Sequence, residues 1–254
     1  MTVSFNSYSS LLSSKYLSYG VAHFPASSGT VSPPSATSGS SSSVDFGNTL
    51  TSATQAYASA MSSAGEGVVR IHTAQVGLEQ ISANMVKLKN LATIANSATI
   101  SQGYRDKLQA DAAEIQKENR LIIARSQHGP EKLLSSKHTT TVQSGVGAFD
   151  TTEISFKDYS KSFVEVDLST QSGASAAMKT LDANVAEATQ GITELGKTRM
   201  ELEKSLDSMG KAAKALLDVQ STLKGQSGQS SRSKGTASGS QGASNAKLGM
   251  SFMA

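Results

Sequence analysis

Four histidines, His23, His72, His128 and His138, are the side chains here best suited to hold a metal ion, and they are too scattered along the chain to do so. A helical pair of ligands needs i, i+4 spacing, as in H-x-x-x-H. The carboxylate pairs Asp111/Glu114 and Glu201/Glu203 could serve as acid and base only inside a cleft that perturbs their pKa values. On the elements described below they read as solvated helix faces. The loop Gly145-Val146-Gly147 lacks the lysine of a phosphate-binding loop and precedes a strand-like run, so it reads as a hairpin turn. With no cysteine, disulfides, zinc–thiolate sites and thiol nucleophiles are excluded together. These residues give no catalytic, cofactor or metal site, and the expectation is a protein that is not an enzyme.

The elements that would have to position such groups are those of a rod. Of 254 residues only 37% are hydrophobic and 5% aromatic, with no tryptophan, so an elongated core of Leu, Ile, Val, Met and Ala is expected. The net charge of +3 is not concentrated on a structured face: Arg232, Lys234 and Lys247 lie in a tail without acids, while Lys and Glu interleave elsewhere. That pattern argues against nucleic acid as a partner. No run approaches the 18 or so apolar residues that cross a bilayer, and the first twenty residues lack the pattern of a cleaved signal peptide.

Periodicity supplies the architecture. Ile71, Ala74, Leu78, Ile81, Met85, Leu88, Ala92 and Ala95 alternate spacings of three and four, placing all of them on one stripe of a helix. After a break at 96–102, Leu108, Ala112, Ile115 and Ile122 mark a second helix, which Gly129-Pro130 is expected to stop. A third seam runs through Met178, Leu181, Val185, Ala188, Ile192, Leu195, Arg199, Leu202, Leu206, Met209, Ala213, Leu216, Gln220 and Leu223, with only Arg199 and Gln220 polar. Arg199 is expected either to pair with a facing carboxylate or to snorkel to solvent. Gly191, Gly196 and Gly210 each cost this helix roughly 1 kcal/mol relative to alanine. Thr139–Gln143 and Thr152–Phe156 read as a β-hairpin, and residues 162–168 alternate as a half-buried strand should.

These stretches, in this order, resemble bacterial flagellin. Gly77-Leu78-Glu79-Gln80-Ile81, running into Met85-Val86-Lys87-Leu88-Lys89-Asn90-Leu91-Ala92, is similar to the family's A-L-x-E-I…L-Q-R-M-R-E-L-A. Residues 99–120 resemble its S-x-x-D-R-x-x-L-Q-x-E-I-x-x-L-x-x-E-I-D-R, and Ser126-Gln127-His128-Gly129-Pro130 stands where T-x-F-N-G would. Val142-Gln143-Ser144-Gly145 and Glu153-Ile154-Ser155-Phe156 are similar to its hairpin, and Met178-Lys179-Thr180-Leu181-Asp182 with Leu195-Gly196 to its L-K-T-L-D…L-G. The opening Met1–Ser7 and Leu17-Ser18-Tyr19-Gly20 resemble a flagellin start. In place of the family's N-x-A-x-D-D-A-A-G-x-A-I segment and second terminal helix stand Ser/Pro-rich and Ser/Gly-rich runs, and Q-N-R-[LF] is Arg199-Met200-Glu201-Leu202.

The expected fold is mainly α: an elongated antiparallel helical rod or coiled-coil bundle with a small β-hairpin and disordered Ser/Gly-rich ends. The divisions are 1–24, a short flagellin-like N-terminal remnant; 25–50, a Ser/Pro/Gly-rich linker; 51–136, paired rod helices; 137–173, the hairpin region; 174–224, the C-terminal rod helix; and 225–254, a disordered basic tail. Leu78, Ile81, Met85, Leu88, Leu108, Ile115, Leu181, Val185, Ile192, Leu195, Leu202, Leu206, Met209 and Leu216 are the residues expected to carry subunit or helix packing. The resemblance implies a structural component of the bacterial flagellar filament, exported without a cleavable signal peptide. Its implied partners are itself or other flagellin subunits and a flagellar export chaperone, with no nucleic acid and no membrane insertion. The departures imply an alternative, a secreted non-polymerising module that caps, joins or decorates filaments.

Overall fold

The structure is a computed structural model that describes residues 42–163 and 165–241, with side chains from Asn48 to Gly225 apart from Val164 and Lys224. The expected N-terminal remnant, most of the linker and the last residues of the tail lie outside the described residues. Among the described residues three helices and four short strands follow in order: α1 (Ser42–Ala95), α2 (Gln102–Arg125), β1 (Gln127–His128), β2 (Glu131–Lys132), β3 (His138–Gln143), β4 (Thr151–Phe156) and α3 (Gln171–Gln241).

Helices α1 and α3 form the long axis. Their cross-contacts run in opposite senses, from Thr51 with Gln220, through Gln75 with Arg199, to Thr93 with Met178, so the pair is antiparallel. Every member of the α1 stripe from Ile71 to Ala95 is buried. On α3, Leu181, Ala188, Leu195, Leu202, Leu206, Met209 and Ala213 are buried, whereas Met178, Val185, Ile192 and Leu216 are half-buried and Leu223 is exposed. One edge of the seam thus faces solvent, as a narrow stripe on a rod must.

Both long helices exceed their expected limits. Helix α1 begins at Ser42 instead of 51, since beyond Ser43 the sequence has no proline to prevent a turn and Leu50 is buried. Helix α3 begins at Gln171, where the Thr170 hydroxyl accepts from the Gly173 N–H, and continues past 224 to Gln241. The stretch from 225 to 241, expected to be disordered, is rich in Ser and Gly but free of proline, so nothing in it forbids extension of a helix already nucleated.

Helix α2 folds back on α1, capped by Ser101, whose hydroxyl accepts from the Tyr104 N–H. Arg105 fixes the turn by donating to three carbonyls, those of Ser97 (2.6 Å), Ala95 (3.1 Å) and Ile100 (3.3 Å). The buried face of α2 is Leu108, Ala112, Gln116, Asn119 and Ile123; Ile115 and Ile122 sit half-buried at its flank. The expected stripe was therefore rotated by one position, because two polar residues occupy the centre of the face. The helix also ends four residues before Gly129-Pro130, at Arg125, where the N–H and hydroxyl of Ser126 both donate to the Ile122 carbonyl. Gly129, at φ 58°, then turns β1 into β2.

The hairpin β3–β4 is as expected to within one residue at each end, with His138 opposite Phe156 and Gln143 opposite Thr151. Its inner face, Val142, Ile154 and Phe156, is buried on the rod. Among the described residues of the segment 162–168 the expected strand does not form. Residues 165–168 carry no regular secondary structure; the Gln109 side chain pairs with their backbone, donating to the Val166 carbonyl (3.2 Å) and accepting from the Leu168 N–H (2.5 Å). Val166 and Leu168 are buried beneath it.

Candidate functional site

In a rod of this kind the packing surface is the candidate site. Of the expected packing residues, Leu78, Ile81, Met85, Leu88, Leu108, Leu181, Leu195, Leu202, Leu206 and Met209 are buried. Ile115, Val185, Ile192 and Leu216 are half-buried. The buried ones are covered by side chains of this same chain. The apolar side chains left on the surface include Phe149, 95% exposed at the hairpin tip, and Met200, 60% exposed on α3.

One polar layer interrupts the seam. Gln75 of α1 is buried and donates to the Ile192 carbonyl of α3 (3.0 Å), while its side-chain oxygen accepts from Arg199 Nη1 (3.1 Å). Gly196 leaves it room, since a Cβ there would lie 3.2 Å from Gln75 Nε2. Arg199 therefore faces an amide across the seam; its carboxylate neighbour, Glu203 at 3.7 Å, lies one turn along its own helix. A polar pair at a seam position specifies register, because sliding one helix past the other leaves both groups without partners.

A second polar node ties the hairpin to α1. Glu131 of β2 accepts from Arg70 Nε (2.9 Å), from the Thr140 hydroxyl and from His138 Nε2 (2.9 Å), and the His138 ring stacks on Phe156 with centroids 5.0 Å apart. Partial burial pushes the Glu131 carboxyl up, but the hydrogen bonds from Thr140, Arg70 and His138 outweigh it and hold the group below the usual carboxylate range. A carboxylate with a depressed pKa contributes stability above its unfolded pKa and loses that contribution as the pH falls through its folded value. We expect Glu131→Gln to cost about 1.5–3 kcal/mol at pH 7, the range for hydrogen bonds to a charged group. In thermal melts the gap between the two proteins should close as the pH drops below about 4; a gap independent of pH would assign the node to packing alone.

No protein-family model matches the chain. The phase 2 flagellin of Salmonella abortus-equi is 25% identical to it over 120 residues, 47% of this chain and 24% of the Salmonella protein. The solved structure of Bacillus cereus flagellin shares its fold with a TM-score of 0.52 at 16% identity, over 57% of this chain and 86% of that one. The chain is flagellin-like. The sequence match spans about a quarter of the Salmonella protein.

Within this flagellin-like rod the groups with chemical potential stay apart. Among the described residues no three His, Asp or Glu side chains gather as metal ligands. His72 is half-buried on α1, where burial and then the Arg199 charge push its pKa down against a smaller effect of Glu79. His138 belongs to the Glu131 node, His128 lies in β1, and His23 is outside the described residues. Asp111, Glu114 and Glu201 are exposed and Glu203 is half-buried beside Arg199. Gly145 and Gly147 shape the hairpin tip: Gln143 Nε2 donates to both their carbonyls, and Asp150 accepts from the Gly147 N–H. Two cavities, about 10 Å³ beside Tyr159 and about 20 Å³ beside Gln116, have the room of a water molecule and not of an organic substrate.

Sequence reasoning missed Gln75, Arg105, Gln109, Glu131 and Tyr159. Each acts through a tertiary contact that periodicity does not encode. A legible signal existed for Tyr159 and Gln75 alone: the glycines at 191 and 196, whose place in a helix called for a neighbour that needed the space.

Proposed function

We propose that the chain is a structural component of a bacterial flagellar filament, exported and packed along its rod against flagellin-like neighbours. The observation that carries this reading is the antiparallel α1–α3 pair with α2 folded back and a hairpin on its flank, the architecture shared with flagellin. Since most of the seam is covered by this same chain, contacts with other subunits fall on its exposed apolar side chains, Phe149 and Met200 foremost. Among the described residues no helix is long and apolar enough to cross a membrane.

A specific observation supports the narrower accessory reading: residues 26–43 are rich in Ser, Gly and Pro, a composition that does not bury enough apolar surface to continue a packed helical wall. Sedimentation tests both. The purified protein is expected to pellet with filaments polymerised from a complete flagellin and to stay in the supernatant alone. Failure to co-sediment removes the flagellar reading; long homopolymers formed alone select the plain subunit over the accessory module.

A further inference from the structure

Where α1, α2 and α3 converge, three carboxamide side chains meet that an apolar seam does not require. Gln116 and Asn119 come from one face of α2 and Asn184 from α3, and all three are more than nine-tenths buried, at 8%, 3% and 7% exposure. Asn119 Oδ1 accepts from Asn84 Nδ2 (2.9 Å), and the Asn84 oxygen accepts from Lys87 (3.0 Å). Gln116 Nε2 is buried with no protein acceptor within reach. These side chains line a cavity of about 20 Å³ together with Arg120, Ser160 and Phe163.

A buried amide donor without an acceptor bears its full desolvation cost, so a sequence that keeps glutamine here needs an acceptor from elsewhere. The cavity fixes its size: about 10–15 Å³ admits one water molecule, which needs two to four polar partners. The wall fixes its charge. It contains no carboxylate for a cation, and the Arg120 guanidinium is turned to Glu165 (3.3 Å). A set of amides offers both donors and acceptors, which suits a ligand that does both.

We propose that this cavity is a binding site for one structural water, which accepts from Gln116 and joins α2 to Asn184 of α3. Helix α2 is then held to the long α1–α3 pair by that molecule's hydrogen bonds as well as by its own apolar face.

The test is water-contact NMR on the full chain. The Gln116 side-chain amide protons should show a cross-peak to water with the sign of a long-lived site, and Asn184→Leu should abolish it. Absence of the cross-peak from the unsubstituted protein overturns the proposal. Gln116→Met decides independently of how the Asn184 variant folds. With a bound water, the melting temperature of Gln116→Met stays the same or falls, because the water loses a partner. With a dry cavity it rises, because an unsatisfied donor has been removed. A melting temperature of the unsubstituted protein that climbs with chloride at constant ionic strength assigns the site to an anion and also overturns the proposal.

Discussion

Gly191→Ala should destabilise the chain by about 3 kcal/mol, although alanine is the better helix former by roughly 1 kcal/mol. A Cβ at this position would lie 2.0 Å from the Tyr159 hydroxyl oxygen, 3.1 Å from Leu78 Cδ1 and 3.2 Å from Tyr159 Cζ. Neither neighbour is free to yield: Tyr159 is 2% exposed with its ring stacked on Phe163, and Leu78 is fully buried. Burial, together with the carboxylates of Glu187 and Glu194, pushes the Tyr159 pKa up to about 12, so the neutral hydroxyl occupies this space at any working pH. Adding Tyr159→Phe removes the closest atom, and the double variant should recover part of the loss. Gly65→Ala is the control, because nothing lies within 4 Å of its Cβ position, and it should gain up to about 1 kcal/mol. Chemical denaturation of the four proteins checks this. Equal responses at Gly191 and Gly65 would mean that α3 does not approach Tyr159 as described.

The same two glycines show where the sequence was readable. Both look alike in one dimension, as helix-weakening residues, and only the crossing of Tyr159 over α3 tells them apart. The seam from Ile71 to Ala95 was legible because burial there follows the helical period alone, whatever the partner. The face of α2 was not, because the centre of its stripe is held by Gln116 and Asn119, which a search for apolar spacing passes over in favour of Ile115 and Ile122. The segment 165–168 has the alternation of a strand, yet strand identity belongs to a pair, and its partner here is the side chain of Gln109. Arg199 was visible as an anomaly in the seam, but its partner across the seam was not. An amide at position 75 carries no charge to suggest the match.

Leu202→Asp should be the most damaging single change on α3. Leu202 is fully buried, and its Cδ1 lies, with Ile154 and Val142, about the space a Cβ on Gly67 would enter, 3.1 Å away. The residue thus sits where α1, α3 and the hairpin meet. Truncation to alanine there costs about 2–5 kcal/mol through lost burial and the cavity left behind. An aspartate keeps the cavity and adds a carboxyl with no designed partner, which must be desolvated as a charge or protonated at a cost that grows with pH. Against a total stability of about 5–15 kcal/mol for a domain, the variant should lose cooperative unfolding near neutral pH, with the alanine variant intermediate. Glu201→Ala, on the exposed face one residue away, should stay within about 0.5 kcal/mol of the unsubstituted protein. Because Leu202 touches both the seam and the hairpin, melts followed by helical circular dichroism and by the hairpin amides should fail together in Leu202→Asp. A hairpin that melts while α3 keeps its stability would show that the two pack independently and that the rod is not one cooperative unit.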